Sequence, residues 1–261
     1  MSKRIKYFLA ALVNCVILMV FLMLSYEARY YGLLMGTLLV VGTTWFGLGL
    51  DLSQSLYIRG MSILLPVAFF VGYGLFAALL PYSFLLSLIL GIFGGVITYI
   101  IYLIENVFLI AIGFRTVPLY RAAYTMSLIV LLITSFFLFD SMFSFSLIYW
   151  ANGILAFIIS AIIFAYHFFS VTIELPDDGA SKDIKAYILL PAWLMSQLAI
   201  VLSFWPVGIF KGSIYLVCAI YIIAGLLQSD LRDRLFKKVW MSFLWIGVAV
   251  ILGIIVMTGW R

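Results

Sequence analysis

Few side chains in this sequence could do chemistry. His167, in the stretch FAYHFFS, is its single histidine. One imidazole cannot build an H-E-x-x-H zinc site, nor the multi-histidine sites of membrane hydroxylases. The sequence contains no G-x-S-x-G elbow, no Walker loop and no paired glutamates of the kind intramembrane prenyl proteases use. A Ser–His pair on His167 would need a serine delivered by the fold, and no serine is nominated. The simpler reading of His167 is an interfacial ring hydrogen-bonded to backbone. No residue reads as catalytic, cofactor-binding or metal-ligating, no cofactor is called for, and the reading leans away from an enzyme.

Glu105 is the most informative charge. It follows GVITYIIYLI and precedes NVFLIAIGF, so apolar sequence flanks it on both sides. Two placements are open. In the favoured one a helix ends near Ile104, and ENVFLIAIGFRTVPLYR is an interfacial segment. Glu105 is then its first-turn acid, favourable at a helix N-terminus, within reach of Arg115 or Arg121. In the other, one helix runs from about Ile92 to Gly113 and Glu105 is an intramembrane carboxylate, which marks function by default. Asn14, Asn152 and Gln197 also fall in apolar runs, and each reads as helix–helix glue before it reads as a ligand group. Glu105, Asn152 and His167 are the candidate functional polar positions. Cys15 and Cys218 read as buried thiols, not as a disulfide or a zinc site. LPDDG at 175–179 reads as a solvated turn, because a cation would need more oxygens than this stretch offers.

The elements that must position these residues follow from composition. Of 261 residues, 67% are hydrophobic and only 10% charged. A soluble domain is about 45–50% apolar and about 25% charged, so the solvent for this surface is lipid. The apolar runs are continuous, which argues for helices and against an alternating barrel. The expected fold is an all-α, polytopic bundle of about nine transmembrane helices. The spans are Tyr7–Ser25, Tyr31–Leu50, Met61–Leu80, Phe84–Ile104, Ala122–Phe139, Phe145–Phe168, Tyr187–Trp205, Gly212–Gln228 and Val239–Thr258. The first apolar core is too long for a cleaved signal peptide and no A-x-A site follows it, so it is expected to be retained.

Charge orients the map. With the N-terminus cytoplasmic and sides alternating, only Arg29, Lys211 and Arg261 fall outside, leaving twelve of the 15 Lys and Arg on the cytoplasmic side. The positive-inside rule asks for this bias, and it puts the C-terminus outside. It also accounts for the net charge of +5 without nucleic acid. The outer turns are expected at PYS (81–83), DSMFS (140–144) and PVGIFK (206–211). Gly32/Gly36, Gly91/Gly95 and Ala249/Gly253 have the small-x-x-x-small spacing that lets membrane helices approach closely.

ILLP occurs twice, ending at Pro66 and Pro191. Each is followed 15 residues later by another proline, Pro81 and Pro206, so both pairs are offset by 125 residues. At the same offset Glu105 matches Asp230. Pro66 and Pro191 are expected in the first turn of a helix, where a missing N–H costs nothing. The chain reads as one integral membrane domain, 1–261, in which 7–104 and 122–228 could be an internal repeat and 239–258 a final helix. Coincidence is the other reading, since Pro176 and Pro191 share the spacing without such a role.

ENVFLIAIGFRTVPLYRAAYTMS (105–127), LSFWPVGIFKGSIYLV (202–217) and GLLQSDLRDRLFKKVW (225–240) resemble an uncharacterised, domain-of-unknown-function family of multi-pass membrane proteins from candidate-phyla bacteria. The resemblance implies a bacterial plasma (inner) membrane and brings no activity or site residues. Three functions are open. The first is a non-enzymatic structural or assembly partner of other membrane proteins. The second is a transporter or carrier for an apolar or lipidic substrate. The third is a lipid-modifying enzyme, disfavoured by the lack of clustered His, Asp or Glu. A central polar cavity reaching Glu105 or Asn152 would favour carriage; a solid core would favour the partner role.

Overall fold

A computed structural model describes residues 3–25, 27–50, 55–81, 83–113, 118–174, 183–233 and 236–258. Among them lie nine helices and no strand: α1 (Lys3–Met23), α2 (Arg29–Leu48), α3 (Leu56–Ala78), α4 (Phe84–Gly113), α5 (Tyr120–Ser144), α6 (Tyr149–Thr172), α7 (Ile184–Phe204), α8 (Ile209–Leu231) and α9 (Lys237–Met257). All nine are long and apolar enough to cross a membrane. A set of this kind fits a multi-pass membrane protein.

The helix ends differ from the expected spans, for local reasons. α3 and α7 each start well before their prolines. Pro66 is the eleventh residue of α3 and Pro191 the eighth of α7, both inside the helix and buried. The expectation of first-turn prolines is therefore wrong. The true starts are set by side-chain caps. Ser55 Oγ accepts from Ile58 N at 3.3 Å, and Asp183 Oδ1 accepts from Lys185 N at 3.1 Å. Such caps satisfy an N–H that the first turn leaves free. An interior proline forfeits one ladder bond, and neither helix ends there. Pro81 and Pro206 do lie just beyond their helix ends.

DSMFS is not a turn. No glycine or proline interrupts the sequence there, and α5 runs through it to Ser144. The chain reverses instead at 145–148, where Ser146 takes a positive φ of 49°. The α7–α8 reversal at 205–208 uses Gly208 at φ 81°, a conformation glycine adopts without a Cβ penalty.

The chain forms two compact units, Met1–Thr134 and Ser135–Arg261, with the boundary inside α5. In the first, α1 packs along α2 and α4, and α3 packs on α2 and α4. The α1–α4 approach depends on missing side chains. A Cβ on Gly95 would stand 2.8 Å from Cys15 Cβ, and one on Gly94 2.7 Å from Leu18 Cδ2. Phe69 and Tyr73 stack at 5.4 Å in the α3 core, and Tyr73 Oη donates to the Leu90 carbonyl on α4 at 2.9 Å. In the second unit α6 and α7 pack most extensively, through fully buried Ala156, Ala192, Met195 and Ala199. α8 packs on α6 and α7, and α9 packs on α8 alone among the pairs with substantial contact.

Candidate functional site

Glu105 lies in the unbroken part of α4. The expected helix end near Ile104 is overturned, because no breaker stands between Gly95 and Gly113 and the helix continues to Gly113. Its carboxylate is wholly buried, not exposed at an interface. Arg115 lies outside the described residues, and Arg121 is exposed at the start of α5. At 1.5 Å per residue, Glu105 is about 32 Å along the axis from Phe84, close to one hydrocarbon thickness of about 30 Å. It therefore sits toward the end of the span where α3 begins.

One turn before it, Tyr102 anchors a polar network across three helices. Asn14 Nδ2 on α1 donates to Tyr102 Oη at 2.6 Å, and Thr44 Oγ1 on α2 lies 3.2 Å from the same hydroxyl. Thr43 Oγ1 donates to Asn14 Oδ1 at 2.7 Å. Tyr7 Oη on α1 donates to Asn106 Oδ1 at 2.7 Å. Asn14 thus has both ends of its amide engaged, as helix–helix glue should. Sequence reading missed Tyr102, Thr43 and Thr44. The signal available was the spacing Thr98, Tyr102, Glu105, Asn106, which is a polar stripe on one face of a helix.

His167 is buried in α6 at 2% exposure, and a backbone hydrogen bond ties its ring to Ala224 on α8. The backbone partner is as expected; the interfacial exposure is not. Ser170 Oγ donates to the His167 backbone carbonyl at 2.7 Å. The nearby ends of α6 and α8 carry an Arg232–Glu174 ion pair at 3.1 Å, and Tyr187 Oη on α7 donates to Asp230 Oδ2 on α8. Among the described residues no three His, Cys, Asp or Glu converge as a metal site would need. Gln197, expected to be helix glue, is exposed on α7. Hydropathy alone does not say which face of a span a residue occupies.

Asn152 occupies a different setting at the other end of the second unit. It lies in the first turn of α6, 4% exposed, and forms part of a cleft of ≈390 Å³ between the α5–α6 and α7–α8 reversals. Its Nδ2 donates to Ser203 Oγ on α7 at 3.1 Å and, more weakly, to the Leu147 carbonyl at 3.4 Å. Its Oδ1 is buried and accepts no hydrogen bond. Ser213 Oγ on α8 donates to the Ile209 carbonyl at 2.8 Å and lies 3.4 Å from Asp140 Oδ1 on α5. In the second unit Asn152 lines an open cleft, whereas His167 is packed within helix contacts. In the first unit Glu105 is likewise packed within helix contacts.

No family model, no curated protein and no solved structure matches the chain. The resemblance noted from the sequence rests on the quoted stretches alone.

Proposed function

We propose that this chain is a non-enzymatic component of a plasma-membrane assembly, held in lipid by its spans and associating sideways with another membrane protein through α9. One observation carries the reading. No described residue of α9 is buried, although the helix is long enough to span. It rests on α8 along one edge, where Phe243 covers Gly225. Its small-x-x-x-small pair is left over: Ala249 is exposed, and a Cβ on Gly253 would meet nothing within 4 Å. Membrane helices associate by close backbone approach at such residues, since lipid supplies no hydrophobic drive between them. The burial of Glu105 and His167 among helix contacts is compatible with this reading. On the charge count, the N-terminus is cytoplasmic.

The test is a photo-crosslinking residue placed at 249, 253 or, on the opposite face, at the exposed Ile251 in native membranes. A discrete protein adduct from 249 and 253 but not from 251 is expected. Lipid adducts alone at all three positions would sink the reading. The carrier reading has one observation in its favour, the cleft that reaches Asn152.

A further inference from the structure

We propose that the start of α7, residues 184–190, is a flap hinged at Pro191 and latched to α8 through Tyr187, and that its swing opens the groove between the two helices. The device involves neither α9 nor any partner.

The hinge lies in the backbone. Pro191 stands inside α7 and has no N–H, so the carbonyl four residues back, that of Tyr187, loses its ladder bond. Burial changes at the same residue. The buried residues of α7 are Pro191, Ala192, Met195, Ser196 and Ala199, and none precedes the proline. Leu189 and Leu190, just ahead of it, are 52% and 63% exposed. An interior proline does not by itself make a flap. α3 carries the same ILLP, yet Ser62 and Leu65, ahead of Pro66, are 0% and 1% exposed. In α3 packing holds both sides of the weakened joint, whereas in α7 it holds the far side.

The latch is a side chain. At this end of the second unit α6 and α8 form a frame: the His167 ring bonds to the Ala224 backbone, and Glu174 pairs with Arg232 at 3.1 Å. The flap joins that frame through Tyr187. Its Oη donates to Asp230 Oδ2 on α8, and its ring meets Phe168 on α6 edge-on at 5.7 Å. Between membrane helices an apolar contact gains little over a contact with lipid, so the bond to the carboxylate is what favours the latched position.

The groove spans the hinge. It runs between α7 and α8 from Ala186, Tyr187 and Asp230 to Leu194 and Ile223. Ala186, Tyr187 and Leu190 lie on the flap side of the proline and Leu194 on the fixed side. Bending at Pro191 therefore moves one wall at the Asp230 end and leaves the Leu194 end in place.

The experiment uses the full chain in phosphatidylcholine nanodiscs, with the free Cys15 and Cys218 replaced by alanine and spin-label distances read by pulsed electron paramagnetic resonance. The flap pair is 189 with 214, and the control pair, on the fixed side, is 201 with 221; all four positions are exposed. Tyr187→Phe should raise the fraction of displaced 189–214 distances roughly threefold or more, while the 201–221 distances stay as in wild type. Asp230→Ala removes the acceptor from the other helix and should do the same, which keeps the test open if Tyr187→Phe does not fold. Adding Pro191→Ala restores the missing ladder bond and should return the 189–214 distances toward wild type. Unchanged 189–214 distances in both latch variants, equal broadening of the two pairs, or displacement that persists with Pro191→Ala would each overturn the proposal.

Discussion

Adding one methyl group to Gly95 tests how the first unit is packed. The new Cβ would stand 2.8 Å from Cys15 Cβ, 3.4 Å from Cys15 Sγ and 3.6 Å from the Ala11 carbonyl oxygen. Carbon atoms prefer about 3.5–4.0 Å, so α1 and α4 must part locally by roughly 1 Å. Cys15 Cβ is fixed to the helix backbone, so no rotamer change relieves the contact. Overpacking of this sort costs about 1–3 kcal/mol. Helix propensity acts in the opposite direction, since Gly→Ala inside a helix returns about 0.8–1.0 kcal/mol. Gly253→Ala supplies the reference, because it gains the same propensity with nothing within 4 Å of the added atom. The stability difference between the two variants is then the clash alone, about 1–3 kcal/mol against Gly95→Ala. Unfolding of the detergent-solubilised monomer, followed by tryptophan fluorescence, measures it. A second variant sharpens the test. Cys15→Ala keeps the Cβ and should not rescue Gly95→Ala, whereas Cys15→Gly removes it and should. If Gly95→Ala proves as stable as Gly253→Ala, the close approach of α1 to α4 is not as described.

Three further outcomes are expected. Tyr102→Phe removes the hydroxyl shared by Asn14 and Thr44 and should cost about 0.6–2 kcal/mol in the same unfolding assay, the range for interhelical hydrogen bonds in membranes. Glu174→Gln should cost no more than about 1 kcal/mol, because its pair with Arg232 is partly exposed, at 39% and 22%. Reporter fusions should place Met1 in the cytoplasm and Arg261 outside; two cytoplasmic ends would overturn the orientation read from charge.

Span number and helix type were legible in the sequence because a bilayer imposes one length on every crossing and forbids unpaired backbone. Helix ends were not, and the misses share a cause. Hydropathy loses its signal where a helix emerges from the apolar run, so it leaves Leu56–Gly60 and Ile184–Ala186 outside the spans. The caps at Ser55 and Asp183 were the better indicators, overshadowed by the prolines that follow. Glu105 misled in the same manner: a charge in an apolar run looked like a boundary, while the absence of any breaker up to Gly113 meant that the helix continued. Which polar residues face inward was illegible for a different reason. In a span that is apolar on all sides there is no amphipathic pattern to choose a face, so Gln197, exposed, and Asn152, buried, read alike.

Asn14 and Asn152 make the point at the level of one atom. Both are buried amides that bond across helices. Asn14 uses its donor on Tyr102 and its acceptor on Thr43, so Asn14→Leu removes favourable bonds and should destabilise by about 1–2 kcal/mol. Asn152 uses only its donor side. Replacing it with leucine leaves Ser203 still bonded to the Ala199 carbonyl and removes a buried acceptor whose unmet desolvation costs about 1–3 kcal/mol. In detergent, Asn152→Leu should therefore be neutral or stabilising. If Asn152→Leu is as costly as Asn14→Leu, Oδ1 has a partner after all and the contrast between the two amides fails.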